Sequence, residues 1–134
     1  MGSPLTGLRL LVVEDEAMVA MMIEGMLQDL GCVVVDVAGT VSRGLALVGD
    51  AALALDGAIL DVNLGGEKVY PVAEALDRRH VPFIFSTGYG IDGINTSFSH
   101  VPALAKPYGQ QALESLLLAA FASRRGGASK PKRR

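Results

Sequence analysis

The sequence predicts an α/β domain built on a parallel sheet. Short apolar runs alternate with stretches of helical period, five times over. Several of the runs are apolar nearly end to end, as strands covered on both faces should be. The chain has 134 residues, half of them hydrophobic and 19% charged, which suits one domain with a real core and argues against disorder.

The first strand is read at LRLLVV (8–13), which runs straight into three carboxylates, Glu14, Asp15 and Glu16. EAMVAMMIEGMLQDLG follows with apolar positions at helical spacing and closes on Gly31, a helix-stop signal. CVVVDVA (32–38) is the second strand, and Thr40 caps the helix in TVSRGLALVGDAAL. DGAILDV (56–62) is the third strand. YPVAEALDRRH places Pro71 at a first helical position and ends basic, as the helix dipole prefers. VPFIFS (81–86) and VPALAKP (101–107) are the last two strands, and YGQQALESLLLAAFASRR is the final amphipathic helix. Between those strands, GYGIDGINTSFSH (88–100) holds three glycines and little helical period, so the fourth helix is expected to be reduced. Parallel strands need right-handed crossovers, which these helices supply. The domain is placed at 8–124, after an N-terminal extension (1–7) and before a disordered basic tail (125–134).

Composition excludes several classes. No apolar run approaches the ~18 residues of a membrane span, because Glu24 and Asp29 interrupt the longest. No secretory signal is visible. The single cysteine, Cys32, cannot form an internal disulfide, so a reducing cytoplasm is the default and Cys32 reads as a small core residue. All 14 acidic residues lie between Glu14 and Glu114, whereas half of the 12 basic ones fall in RRGGASKPKRR at the C-terminus. An acidic body argues against nucleic-acid binding by the domain itself.

Chemistry collects where the strands end, because open α/β sheets bind ligands beyond their C-terminal edge. The first strand ends on Glu14 and Asp15, the third on Asp61, the fourth on Ser86 and Thr87, and the fifth on Lys106. Two like charges about 4 Å apart repel by roughly 4 kcal/mol at an intermediate dielectric. The carboxylates therefore predict a cation. Oxygen-rich sites of this kind suit Mg²⁺, which takes one or two carboxylates together with waters and phosphate oxygens. A carboxylate can also act as nucleophile toward a phosphoryl group. Such transfer depends on positioning and charge neutralisation, which a metal, an ammonium and a hydroxyl around Asp61 would provide. Gly88 would let the backbone approach a ligand closely.

The segments VVEDE, AILDVNL, FSTG and AKPY, in this order on successive strand ends, resemble the receiver domain of two-component response regulators over roughly Leu8 to Arg124. The resemblance implies a flavodoxin-like, doubly wound (βα)5 fold with strand order 2-1-3-4-5. It implies Asp61 as phospho-acceptor, Asp15 as direct metal ligand, Glu14 acting through water, and Asn63 lending its backbone carbonyl to Mg²⁺. Thr87 and Lys106 would contact the phosphoryl group. The phosphodonor would be a sensor histidine kinase or a histidine phosphotransferase, with no role for a membrane. PFIFSTGYG further resembles the signature of the FAT GUY receivers, often single-domain proteins, with Ser86 where that motif usually has alanine.

Two positions depart from ordinary receivers. Ala103 stands three residues before Lys106, where most carry a switching aromatic, and Gly88 replaces a common alanine. Tyr89 and the glycine-rich loop are the alternative switch elements, together with Thr87 and Gly88. His80 and His100 read as surface residues. Two other functions compete: a phosphohydrolase of the haloacid-dehalogenase type, which also uses an aspartate nucleophile, and a pseudo-receiver that is never phosphorylated. The first would resemble D-x-D on the first strand, whereas the nucleophile candidate here lies on the third. The intact acidic pair, Asp61 and Lys106 argue against the second.

Overall fold

The computed structural model describes residues 3–88 and 94–122. Along the chain, β1 (Arg9–Val13) leads into α1 (Ala17–Asp29), then β2 (Val33–Ala38), α2 (Val41–Val48) and β3 (Gly57–Asp61). A small hairpin follows, made of β4 (Asn63–Leu64) and β5 (Glu67–Lys68), and then α3 (Tyr70–Arg78) and β6 (Phe83–Thr87). A 3-10 turn at Thr96–Phe98 precedes β7 (Ala103–Ala105), and α4 (Gln110–Leu117) runs on into a π-helical turn at Leu118–Ala122. The large sheet is parallel, in the order β2-β1-β3-β6-β7. With the hairpin strands set aside, that is the 2-1-3-4-5 order of a flavodoxin-like receiver fold. Among the described residues, the segment expected to hold a reduced fourth helix carries the 3-10 turn.

The two-residue period of the strands splits the core in two. Leu11, Val13, Leu60 and Phe85 face α2 and α3, where they pack with Val72, Leu76 and Phe98. Their neighbours Leu10, Val12, Ile59 and Ile84 face α1 and α4, and pack with Ile23, Leu27, Leu113 and Phe121. Leu5, ahead of β1, is fully buried in this second cluster. Gly57 is required on that side, because a Cβ there would lie 3.0 Å from the Phe121 ring.

The edge strand β2 is blunted rather than flat. Its register with β1 skips Val35, so that Leu10 faces Val34 and Leu11 faces Asp36. The Asp36 carboxylate accepts the Val37 N–H at 2.8 Å and holds Arg43 at 3.2 Å, placing charge where another chain could otherwise add a strand.

Some boundaries differ from the sequence reading. The last strand is shorter than 101–107, because Pro102 and Pro107 flank it and cannot donate to a ladder. Pro71 is the second helical residue of α3, after Tyr70, still within the turn that tolerates it. The last helix begins at Gln110, after Gly109. The hairpin was not anticipated. Its turn residues Gly65 (φ +56°) and Gly66 (φ +95°) are both left-handed, as a two-residue hairpin turn requires.

Helices α1 and α3 end in the same way. Cys32 N–H reaches Leu27 C=O and Gly31 N–H reaches Gln28 C=O, each at 3.0 Å, around Gly31 at φ +91°. Val81 N–H reaches Leu76 C=O and His80 N–H reaches Asp77 C=O, again at 3.0 Å, but here the left-handed residue is His80 at φ +60°. A side chain in that conformation costs on the order of 1 kcal/mol, which glycine avoids at some cost in unfolded-state entropy. His80→Gly is therefore expected to raise stability by about 0.5 kcal/mol. Urea unfolding of both proteins checks it, and a loss of stability would contradict the argument.

Candidate functional site

The sheet register brings the predicted residues to one edge. Leu60 lies opposite Phe85, Asp61 opposite Ser86, and Thr87 opposite Ala105, so the strands run out at nearly the same height. Glu14 continues β1 by donating its N–H to Ala38 C=O at 2.9 Å, and Lys106 N–H reaches Thr87 C=O at 2.8 Å. Asp61 is the last residue of β3, Thr87 the last of β6, and Lys106 the first after β7. Asn63 opens the hairpin.

One ammonium joins two carboxylates. Lys106 Nζ lies 3.0 Å from Glu14 Oε1 and 3.2 Å from Asp61 Oδ2. Each carboxylate has its other oxygen on a backbone N–H: Glu14 Oε2 accepts from Glu16 at 3.2 Å, and Asp61 Oδ1 from Asn63 at 3.3 Å. Glu14 and Asp61 are buried, whereas Asp15 is exposed. One oxygen from each of Glu14, Asp15 and Asp61 falls within 4.8 Å of the others, an arrangement that could bind a metal ion. The mouth is a recess of about 400 Å³ lined by Asp15, Glu16, Asp61, Asn63, Gly65, Gly88 and Lys106.

Burial and pairing pull the charges in opposite directions. Burial pushes the Glu14 carboxyl up from 4.5 to about 6, and the Asp61 charge adds to this; the Lys106 and Glu16 hydrogen bonds only partly oppose it. Burial would lower Lys106, but its bond to Glu14 and the charges of Asp61 and Glu14 outweigh that and raise it. Lys106 is therefore firmly charged, while burial leaves the Glu14 carboxyl easier to protonate than a free one.

Sequence reasoning did not single out Tyr108. Burial pushes its hydroxyl pKa up, and the hydroxyl faces Ser86 Oγ without reaching bonding geometry with it; both oxygens are buried. Tyr108 also closes an apolar cavity of about 230 Å³ with Val19, Met22, Ile23, Met26, Lys106 and Pro107. Neither did sequence reasoning see the aromatic cluster built around Phe98. Phe98, from the 3-10 turn, stacks on Tyr70 at 5.4 Å and meets Phe83 and Phe85 edge-on, and Ala103 packs against this cluster. Tyr89 lies outside the described residues, as does the basic tail. His80 and His100 are exposed, and Cys32 is buried with its thiol pushed up to about 11, so it is unreactive.

Solved structures place the chain in a family. It is 45% identical to SdrG from Sphingomonas melonis Fr1, covering 87% of this chain and 97% of that one at a TM-score of 0.74. It is 42% identical to the BeF3-activated conformation of SdrG from Pseudomonas melonis Fr1, covering 89% and 98% at a TM-score of 0.72. The response regulator PhyR from Brucella abortus is 27% identical, with a TM-score of 0.77 over 94% of this chain and 54% of that one. No family model matches the chain, and no curated protein does. The chain belongs to the receiver domains of response regulators. Among the described residues, no helix is long and apolar enough to cross a membrane.

The Glu14 shift carries a sign. Folded Glu14 holds its proton more tightly than unfolded Glu14, so its contribution to stability is full below pH 4.5 and is lost as pH rises through about 6. Without divalent cations, the stability of wild type relative to Glu14→Gln is expected to fall by about 2 kcal/mol across that window. Urea unfolding at a series of pH values measures it. A difference that stays flat, or rises, would refute the assignment.

Proposed function

We propose that this chain is the phospho-accepting switch of a two-component or phosphorelay system. Asp61 takes a phosphoryl group from a histidine of a sensor kinase or phosphotransferase. The observation that carries this reading is the placement of a buried Asp61, bonded to Lys106, in a recess that Asp15 also lines, with Glu14 buried beside it. As the phosphorus–nitrogen bond of the donor imidazole breaks, an Asp61 oxygen bonds to phosphorus and the imidazole keeps the electron pair. Lys106 holds Asp61 before transfer and the phosphoryl oxygens after it. The Thr87 hydroxyl takes another phosphoryl oxygen.

The donor set fits Mg²⁺: three carboxylate oxygens lie within reach of one another, and Asp15 and Asp61 line a recess that admits water. Asp15, Asp61 and the Asn63 carbonyl would hold the ion directly, and Glu14, which is buried and does not line the recess, through water. The ion would neutralise charge on the transferring group.

The similar SdrG has a BeF3-activated conformation, and trifluoroberyllate on a carboxylate is a stand-in for a phosphoryl group. That likeness favours a signalling regulator in the cytoplasm over a phosphohydrolase or an unphosphorylated scaffold. Met18, Met21 and Met22 are 79%, 69% and 59% exposed on α1, the helix that follows Glu16 of the recess, and offer an adaptable apolar face to a protein donor. The output element is the segment after Thr87, including Gly88 and Tyr89, because Ala103 has no ring to reorient.

With Mg²⁺ and a small phosphodonor, intact mass is expected to show one acid-labile phosphoryl group, absent in Asp61→Asn. Labelling that persists in that variant would overturn the assignment. In melts without phosphodonor, Mg²⁺ is expected to raise the unfolding midpoint by mass action, and Asp15→Asn to shrink that rise. An undiminished rise would remove Asp15 from the metal site.

A further inference from the structure

We propose that Lys68, on the hairpin beside the site, is a positioning residue that prolongs the life of the aspartyl phosphate by tying back the Asn63 side chain. This rests on the phospho-acceptor reading of Asp61. Asn63 and Lys68 face each other directly across β4 and β5, and Lys68 Nζ lies 2.7 Å from Asn63 Oδ1. An ammonium only donates, so the atom turned toward it must be the amide oxygen. The hairpin is closed by the Gly65–Gly66 turn and anchored at its base, where Val69 N–H donates to Val62 C=O at 3.0 Å. The Asn63 backbone meanwhile points its N–H at Asp61 Oδ1. One residue thus touches the acceptor carboxylate through its backbone and Lys68 through its side chain.

The consequence concerns hydrolysis. A water oxygen must bond to phosphorus as the bond from phosphorus to the Asp61 oxygen breaks. The aspartyl phosphate dianion then yields the Asp61 carboxylate and a phosphate monoanion that keeps both protons of the water. An acceptor that orients the water assists this step. Among the described residues lining the recess, Asn63 is the uncharged side chain that has one. The carboxylates there would add to the repulsion of the phosphoryl group. Lys68 takes one of the two lone pairs of the Asn63 oxygen and fixes the side chain toward itself, which leaves that oxygen less free to orient an attacking water. Gly65 and Gly66 carry no side chain that could take over, and Lys68 itself has no acceptor to offer.

The contact is exposed, so its effect should be a factor of a few. After phosphorylation with a small donor and Mg²⁺, Lys68→Ala is expected to lose the phosphoryl group about two- to fivefold faster than wild type. Lys68→Arg should restore the lifetime. In an Asn63→Ala background, Lys68→Ala should have no further effect, and thermal midpoints should not follow the lifetimes. An unchanged or longer lifetime in Lys68→Ala, or an equal effect without Asn63, would overturn the proposal. In the unphosphorylated protein, the Asn63 side-chain amide resonances should move in Lys68→Ala and stay in Lys68→Arg. If they do not, the tie itself is absent, whereas a wild type that takes no phosphoryl group would instead overturn the reading of Asp61.

Discussion

The site depends on one ammonium shared by two buried carboxylates. Lys106 reaches Glu14 and Asp61 together, at 3.0 and 3.2 Å, across the full span of the chain between β1 and the end of β7. Without that cation, Glu14 and Asp61 would be held close together in a poorly solvated place, which is costly. The compensation is incomplete, because burial still lifts Glu14 to about 6. The protein therefore keeps an under-neutralised acidic centre. A further positive charge brought to Glu14, Asp15 and Asp61 completes what one lysine leaves unfinished.

Everything that positions the lysine follows from the parallel sheet. Strands β1, β3, β6 and β7 lie side by side and point the same way, so their last residues share an edge. The small β7 is held there by pairing with β6, from Phe85 opposite Ala103 to Thr87 opposite Ala105. The alternation of side chains then sends Phe85 to one core and Ile84 to the other. The same alternation puts Ser86 on the side of Tyr108 and α1. Packing on both faces thus fixes the height and the direction of each functional residue.

Around this common frame, the chain has local solutions of its own. Phe98 arrives from the 3-10 turn and completes an aromatic cluster with Tyr70, Phe83 and Phe85. The Tyr70 hydroxyl in turn accepts the Asn95 N–H at 2.8 Å, which ties α3 to the segment ahead of that turn. Where a plain loop would follow β3, a six-residue hairpin carries Asn63 and Lys68 to the rim of the recess. Both features lie within a few residues of the site, and both involve side chains that the general pattern of a receiver does not specify.

The sequence by itself determined the layered α/β architecture, because runs such as LRLLVV and FIFST are apolar on both faces and can be satisfied only between two layers of helix. It also indicated which residues would meet at one edge, since Glu14, Asp15, Asp61, Thr87 and Lys106 lie at or just beyond strand ends, which come together in a parallel sheet. Gly31 announced its helix stop; His80 made the same turn with no such signal, its left-handed backbone closing the bonds from Val81 N–H to Leu76 C=O and from His80 N–H to Asp77 C=O. The hairpin escaped because strands of two residues have no period to read. The aromatic cluster around Phe98, the burial that raises the Glu14 carboxyl, and the facing of Lys68 and Asn63 were decided by tertiary structure alone. Each depends on distances and burial between segments far apart in the chain or across a turn, which local pattern does not encode.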